Sequence, residues 1–182
     1  MDEHEITGAI NRARRGIKQY LEIMNMFPQT NVLHDHKFRK KYNAFYRVRQ
    51  RPAEWYKVYF EYMENQKGRD VTFPEVLRYF KDSIGRYEPS FSSKLVATHN
   101  PGMPIWDVHV LSNIGLHAPS YNSPSKFDEA ETAYRAIKDW YANYEHSPEG
   151  SLVIRKFDEL ISGKDLITNT KKIDFVLWQM RT

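Results

Sequence analysis

The chain has 182 residues, 41% of them apolar and 14% aromatic, which is enough for a sizeable core and too many for global disorder. It contains no cysteine, which excludes disulfides, thiolate metal sites and a cysteine nucleophile. No stretch approaches the roughly 20 consecutive apolar residues of a membrane span, and the acidic N-terminus is unlike a secretory signal. We therefore expect a cytoplasmic protein with a single domain over residues 1–182.

The N-terminal third of the chain shows helical periodicity. Apolar residues recur at three- and four-residue steps over residues 4–26, which predicts an amphipathic helix that ends at Phe27. A second helix is predicted over about residues 37–48. Pro52 indicates the start of a third helix, and Gly68 lies just past its end.

The middle of the chain continues this pattern. A fourth helix is predicted to begin at Pro74, with Thr72 near its cap, and Gly85 suits the left-handed position that ends a helix. Two further helices are predicted over about residues 90–99 and 108–116, and a Pro/Gly-rich loop joins them.

The C-terminal third also reads as helices. Ser125 is predicted to cap the next helix, with Asp128 completing a variant capping box. Pro148 opens a further helix, and Thr170 is predicted to cap the last one. No alternating strand pattern of four or more residues is present. We predict an all-α domain of about eight or nine helices.

The segment 90–110 holds the residues with the clearest chemical potential. The backbone N–H groups at its helix start, with the hydroxyls of Ser92 and Ser93, are predicted to bind a phosphate. Lys94 is a candidate amine nucleophile if burial and neighbouring charge lower its pKa. Asp107 is a candidate for orienting a water or stabilising positive charge at a sugar C1′.

Both residues also have ordinary structural interpretations. Aspartate is a preferred N-cap, and Asp107 directly precedes an apolar helical segment, so it can serve as a cap without catalytic duty. A cap can also face a cleft, so the two interpretations are compatible. Lys94 can be a surface lysine or a contact to phosphate.

The segment Pro104-Ile-Trp-Asp107-Val-His-Val110 resembles the loop-to-helix segment of the helix-hairpin-helix (HhH-GPD) DNA glycosylases. In that superfamily a Gly/Pro-rich loop precedes a catalytic aspartate at a helix start. Bifunctional members also carry a lysine near the start of the helix after the hairpin, and Lys94 is the candidate for that position. The equivalent region, residues 85–90, holds one glycine, Gly85, where the family hairpin has a Gly-hydrophobic-Gly turn.

The resemblance implies a glycosylase-like helix-hairpin-helix core, binding to duplex DNA, and base excision with N-glycosylase and AP-lyase chemistry. Lys94 and Asp107 would form the catalytic pair. The C-terminal segment Lys171 to Trp178 is also similar to small uncharacterised bacterial proteins that share the Ser-Lys-Leu and Pro-Ile-Trp-Asp segments. That second similarity implies no activity.

A basic window without any acidic residue lies between residues 37 and 51. Such a local concentration of positive charge indicates a polyanionic partner, and we expect it to contact the DNA backbone. The alternative is a solvated helix face whose interleaved aromatics belong to the core. The seven basic residues are Lys37, Arg39, Lys40, Lys41, Arg47, Arg49 and Arg51.

Two residues beside Asp107 are candidates for a base pocket. Trp106 could stack on a flipped base, although aromatics at helical spacing usually belong to the core. His109 could line the same pocket as an acid–base group, or be a packed imidazole. The pair His34 and His36 is compact, but its pattern is too common to predict a metal site. We expect neither a metal nor a cofactor.

Three functions remain open at this level. The first is a DNA-binding protein that excises a damaged base. The second is a nucleic-acid-binding module without catalysis, and the third is a helical protein-interaction adaptor. Clustering of the basic residues beside the central cleft would favour the first two.

Overall fold

Nine α-helices and two 3₁₀ turns form the regular structure of residues 1–180, which the computed structural model describes. No strand occurs in this range, so the prediction of an all-α fold with eight or nine helices is confirmed. None of these helices combines the length and apolar character needed to cross a bilayer. The 3₁₀ turns are Phe27–Gln29 and Lys164–Leu166; the helices are α1 (Glu3–Met26), α2 (His36–Phe45), α3 (Ala53–Asn65), α4 (Phe73–Ile84), α5 (Pro89–His99), α6 (Val108–Asn113), α7 (Lys126–Glu145), α8 (Pro148–Leu160) and α9 (Asn169–Gln179).

Local capping signals set several helix ends. Asp2 and Glu5 form a capping box at α1, in which each side chain accepts the other's backbone N–H at 2.8 Å. At α4, Glu75 accepts hydrogen bonds from the backbone N–H and the hydroxyl of Thr72. Gly85 follows α4 with φ 63°, the left-handed conformation that the sequence predicts.

One predicted cap is wrong, and another lacks its predicted side-chain bond. The N-cap of α9 is Thr168 rather than Thr170, because the Thr168 hydroxyl accepts the backbone N–H of Lys171 and also donates to the carbonyl of Pro101 at 2.6 Å. Ser125 is the N-cap residue of α7, as predicted, but its side chain forms no capping bond because its hydroxyl donates to Glu129 instead. In both places a side-chain contact beyond the capping pattern decides the outcome.

Two helices are shorter than predicted. α2 ends at Phe45, where the N–H of Val48 bonds to the carbonyl of Asn43 at 2.9 Å and Arg47 adopts a left-handed conformation. This is a Schellman motif, which turns the chain away from the helix axis. α6 stops three residues before its predicted end in the same way, with Gly115 in the left-handed position.

The last helix, α9, is central to the fold. It packs against α1, α6, α7 and α8, and every residue from Lys171 to Leu177 is buried. Three of these buried residues are charged, and each has an ionic partner, because a buried unpaired charge is costly. Lys171 pairs with Asp174 at 2.5 Å, and Lys172 pairs with Asp158 at 2.7 Å.

A stack of aromatic rings fixes the start of α5. Trp55 lies nearly parallel to Tyr59 and to Phe80, with ring centroids 4.8 and 5.9 Å apart. The indole N–H of Trp55 donates to the carboxylate of Glu88, the residue that precedes α5. The core of α3 and α4 thereby holds the helix that carries Lys94.

The loop after α5 folds back onto that helix. The backbone N–H of Trp106 donates to the Ser93 hydroxyl at 2.9 Å, which in turn donates to the carbonyl of Ser90. Tyr134 of α7 adds a hydrogen bond to the carbonyl of Pro104. These contacts bring the start of α6 beside the first half of α5.

Candidate functional site

A cavity of about 310 Å³ opens between α1, α2, α5, α6 and α9. This volume lies at the lower end of the range for small-ligand sites, roughly 300–1,000 Å³. Lys94 and Asp107, the two candidates identified in the sequence, both line it. Its other charged lining residues differ in burial. Lys171 and Asp174 are buried and form the floor, whereas Arg47 is exposed at the rim.

Lys94 projects from the second turn of α5. Its amine donates to the Ser90 hydroxyl at 3.1 Å and lies 4.8 Å from the centre of the Phe91 ring. The pKa of Lys94 falls to about 8, chiefly because burial disfavours the charged amine. The Asp107 carboxylate opposes this shift, and the Lys171 ammonium adds to it. A substantial fraction of the amine is therefore uncharged near pH 8.

Asp107 caps α6. Its Oδ1 accepts the backbone N–H of His109 at 2.9 Å, as the capping interpretation predicts. Within residues 1–180, Oδ2 has no hydrogen-bond partner, and the side chain is only half-buried. The same carboxylate thus caps a helix and contributes negative charge to the cavity, so the capping interpretation is confirmed and the catalytic one stays a prediction.

The cavity floor contains a buried ion pair that was assigned no role from the sequence. Lys171 and Asp174 are 2.5 Å apart, and Tyr141 donates to Asp174 at 3.4 Å. The Lys171 ammonium also lies 5.2 Å from the ring centre of Tyr20 and 5.0 Å from that of Phe175. The signal in the sequence was two opposite charges three residues apart beside the apolar residues of α9, but such pairs usually face solvent.

Arg47 and Trp178 lie at the rim. The guanidinium of Arg47 stacks over the Trp178 ring at 4.6 Å from its centre. Arg47 belongs to the basic window predicted from the sequence, so that window reaches the cavity through this residue. Trp178 lies in the C-terminal segment whose similarity implied no activity.

The phosphate site predicted at the start of α5 is wrong. Ser92 and Ser93 are fully buried, and the Ser93 hydroxyl is engaged with backbone groups on either side. The residue at the N-cap is Glu88, whose buried carboxylate would repel a phosphate, and Pro89 lacks an N–H. Ser93 holds the loop in place, and Ser92 is buried away from solvent, so neither hydroxyl is available to an anion.

The base-stacking role predicted for Trp106 also fails. Its side chain is 2% exposed, and its ring stacks on Phe73 with an interplanar angle of 4°. It therefore belongs to the core and does not line the cavity, whereas its neighbours on both sides do. His109 does line the cavity and is exposed at its rim beside Val108, which is 66% exposed.

Part of the basic window joins α1 in a surface groove, which we call the basic groove. Glu22 is the one acidic residue lining it, and it forms a 2.5 Å ion pair with Lys41. Arg15 and Lys18 come from α1, so packing of α1 against α2 enlarges the positive surface. The basic residues of the groove are Arg15, Lys18, Lys37, Lys40 and Lys41.

The remaining basic residues of the window diverge. Arg39 lines a separate groove between α2 and α3, and Arg49 is exposed. Arg51 is engaged within the fold, because it pairs with Glu88 at 3.1 Å and its guanidinium lies 4.8 Å from the Phe91 ring centre. Its predicted contact with the DNA backbone does not fit this arrangement. The residues of the basic window therefore lie on several separate surfaces rather than on one.

The histidines do not assemble a metal site. In the described part of the chain, no group of three His, Asp or Glu residues could hold a metal ion. His34 and His36 are exposed, whereas His99 packs edge-on against Phe27 at 5.1 Å. Burial lowers the pKa of His99 to about 4, so it is neutral at physiological pH.

No family model, curated protein or solved structure matches the chain.

Proposed function

We propose that the protein binds duplex DNA and excises a damaged base, with Lys94 as the amine nucleophile of a glycosylase and AP-lyase reaction. One observation carries the proposal. A lysine with a pKa near 8 and a carboxylate whose Oδ2 has no hydrogen-bond partner within residues 1–180 line the same small cavity. Such an amine is nucleophilic near neutral pH, and burial is the established way to produce one.

At an abasic site, the free amine of Lys94 adds to the C1′ aldehyde of the opened sugar. Loss of water gives an imine, and Oδ2 of Asp107 accepts the C2′ proton. The C3′–O bond then breaks, and the phosphate leaves with its bonding electron pair. With an intact nucleoside, the amine displaces the base at C1′, and the base departs with a proton. The negative charge of Asp107 stabilises positive charge that develops at C1′.

The basic groove supplies the surface for the DNA backbone in this proposal. It offers five cations against a single acid, and that acid is paired with Lys41. If about four phosphates are neutralised there, the logarithm of affinity should fall with the logarithm of salt with a slope of roughly −3 to −4. α1 and α2 also contribute Gly16 and Phe45 to the cavity, so bound DNA would lie near the reaction site.

Borohydride trapping tests the chemistry. We expect duplex DNA with an abasic site to form a covalent adduct with the wild-type protein, in a yield that rises as the pH passes through about 8. Lys94→Gln should abolish the adduct, while the control Lys138→Gln, at an exposed position of α7, should retain it. The absence of both an adduct and base release across a panel of lesions would exclude the enzymatic proposal.

A second candidate is nucleic-acid binding without catalysis. Two observations favour it: the basic groove is separate from the cavity, and Asp107 already serves as a cap. In that case Asp107→Asn should leave DNA affinity unchanged, because asparagine caps about as well as aspartate. Lys37→Gln with Lys40→Gln should weaken binding uniformly across sequences and flatten its salt dependence.

A further inference from the structure

The backbone of Arg47 adopts a conformation that favours glycine. Its φ is 54°, in the left-handed region, at the position after the C-cap where helices usually place glycine. A non-glycine residue held in such a conformation is often at a functional site. The conformation directs the chain from α2 along the rim of the cavity, where Arg47 meets Trp178 of α9.

Stacking fixes the guanidinium without using its hydrogen bonds. The Trp178 ring contacts Arg47 at 4.6 Å from ring centre to Cζ. Arginine donates its N–H bonds in the plane of the guanidinium, so stacking leaves those donors available. Among the ion pairs of residues 1–180, none includes Arg47.

The lysine and arginine side chains that line the cavity differ in their partners. Lys171 is neutralised by Asp174 at 2.5 Å, and Lys94 is the proposed nucleophile. Within residues 1–180, Arg47 alone of the three has neither a carboxylate partner nor a proposed role in bond formation. Its charge is nevertheless close enough to lower the pKa of Lys94, so the two side chains face one site.

We propose that Arg47, stacked on Trp178, binds a phosphate of the substrate and thereby selects phosphorylated sugars over unphosphorylated ones for reaction at Lys94. The planar fork of arginine matches two phosphate oxygens, which a lysine cannot reproduce. The part of this inference that concerns reaction at Lys94 rests on the proposed function. The phosphate site itself depends only on Arg47 and Trp178 at the rim of the cavity.

Two small probes test the selection. The full-length protein is treated with borohydride and either 2-deoxyribose 5-phosphate or 2-deoxyribose, and the Lys94 adduct is measured by mass spectrometry. The amine forms an imine with the sugar aldehyde by loss of water, and borohydride reduces it to a stable secondary amine. We expect the phosphorylated sugar to give a yield about tenfold higher, as one charge-assisted bidentate contact predicts.

Matched variants identify the residue responsible. Arg47→Gly removes the guanidinium while suiting the left-handed backbone, so it should fold and lose the preference for phosphate. Arg47→Lys should retain only part of that preference. Arg49→Gln, an exposed basic residue two positions further along, should leave it unchanged. Equal yields from both sugars with the wild-type protein, or an unchanged preference in Arg47→Gly, would overturn the inference.

The outcomes separate this inference from the DNA proposal. Trapping of the sugar phosphate but not of abasic DNA, with dependence on Arg47, would support the phosphate site and exclude the DNA reaction. Trapping of abasic DNA in equal yield by wild type and Arg47→Gly would support the DNA reaction and exclude the phosphate site. If no probe forms an adduct, calorimetric titration with ribose 5-phosphate decides whether the phosphate site exists. Binding that Arg47→Gly loses supports the site, and no binding by the wild type overturns it.

Discussion

Asp174→Asn leaves the Lys171 ammonium buried without its ionic partner. The two groups are 2.5 Å apart, and their side chains are only 6% and 9% exposed. Breaking a buried pair from one side typically costs about 3–5 kcal/mol. The aromatic rings around Lys171 offset part of this through cation–π attraction, by about 1 kcal/mol. We therefore expect the free energy of unfolding to fall by about 2–4 kcal/mol.

Urea denaturation at pH 7, followed by circular dichroism, measures this loss as a lower midpoint at unchanged slope. For a chain of this length, the corresponding fall in melting temperature is on the order of 10 °C. The double variant Lys171→Met with Asp174→Leu should recover most of the stability, because apolar replacement of a buried pair is often neutral or favourable.

A pair with the same spacing but greater exposure provides the control, and Lys156 in it keeps a second ionic partner, Glu3 at 2.6 Å. Lys156 and Glu159 are 2.8 Å apart on α8, three residues apart like Lys171 and Asp174. We expect Glu159→Gln to change stability by less than about 1 kcal/mol, as is usual for surface ion pairs. If Asp174→Asn costs no more than Glu159→Gln, or if the double variant is as unstable as the single one, the pair is not buried as described.

Three further predictions concern the rest of the fold. Thr168→Ala should destabilise the protein by about 1 kcal/mol through loss of the α9 cap, whereas Thr170→Ala should not, as urea denaturation of the two variants can show. Gly150→Ala should be strongly destabilising, by more than about 3 kcal/mol, because a Cβ there would overlap the backbone carbonyl of Tyr144; a soluble variant with wild-type melting temperature would contradict this. The depressed pKa of His99 means that the unfolded chain binds a proton more readily than the folded protein. The contribution of His99 to the free energy of unfolding should therefore be fully present above about pH 6.5 and fall as the pH drops toward 4. Melting curves measured across that range should show a smaller fall for His99→Gln.

Helix positions were predictable because their signals are local. Three- and four-residue periodicity locates α1, and Gly85 in the left-handed conformation ends α4. Each of these signals involves residues only a few positions apart in the chain. The errors arose where a distant group intervened. Thr168 caps α9 with help from the carbonyl of Pro101, which lies 67 residues away in the sequence. The capping pattern alone led to Thr170.

The candidate site was predictable only in part. Lys94 and Asp107 are close in sequence, and the Pro/Gly-rich loop between them indicated that they could approach each other. The role of Ser93 in holding that loop was not predictable, because its hydroxyl could equally have faced solvent. Trp106 was placed in the wrong environment for the same reason, since the side of a loop that meets the core depends on the elements that cover it.

The amino-acid sequence by itself determined the helical class, most helix boundaries, the absence of thiol chemistry and the concentration of positive charge in one window. These properties follow from composition and short-range periodicity. Only the tertiary structure decided which charges are buried and which remain available. Packing of α9 against α1 and α6 places Lys171 and Asp174 beneath Lys94, and the same packing brings Trp178 to Arg47. Burial controls the pKa of an amine and the strength of an ion pair, and burial depends on contacts between residues far apart in the sequence.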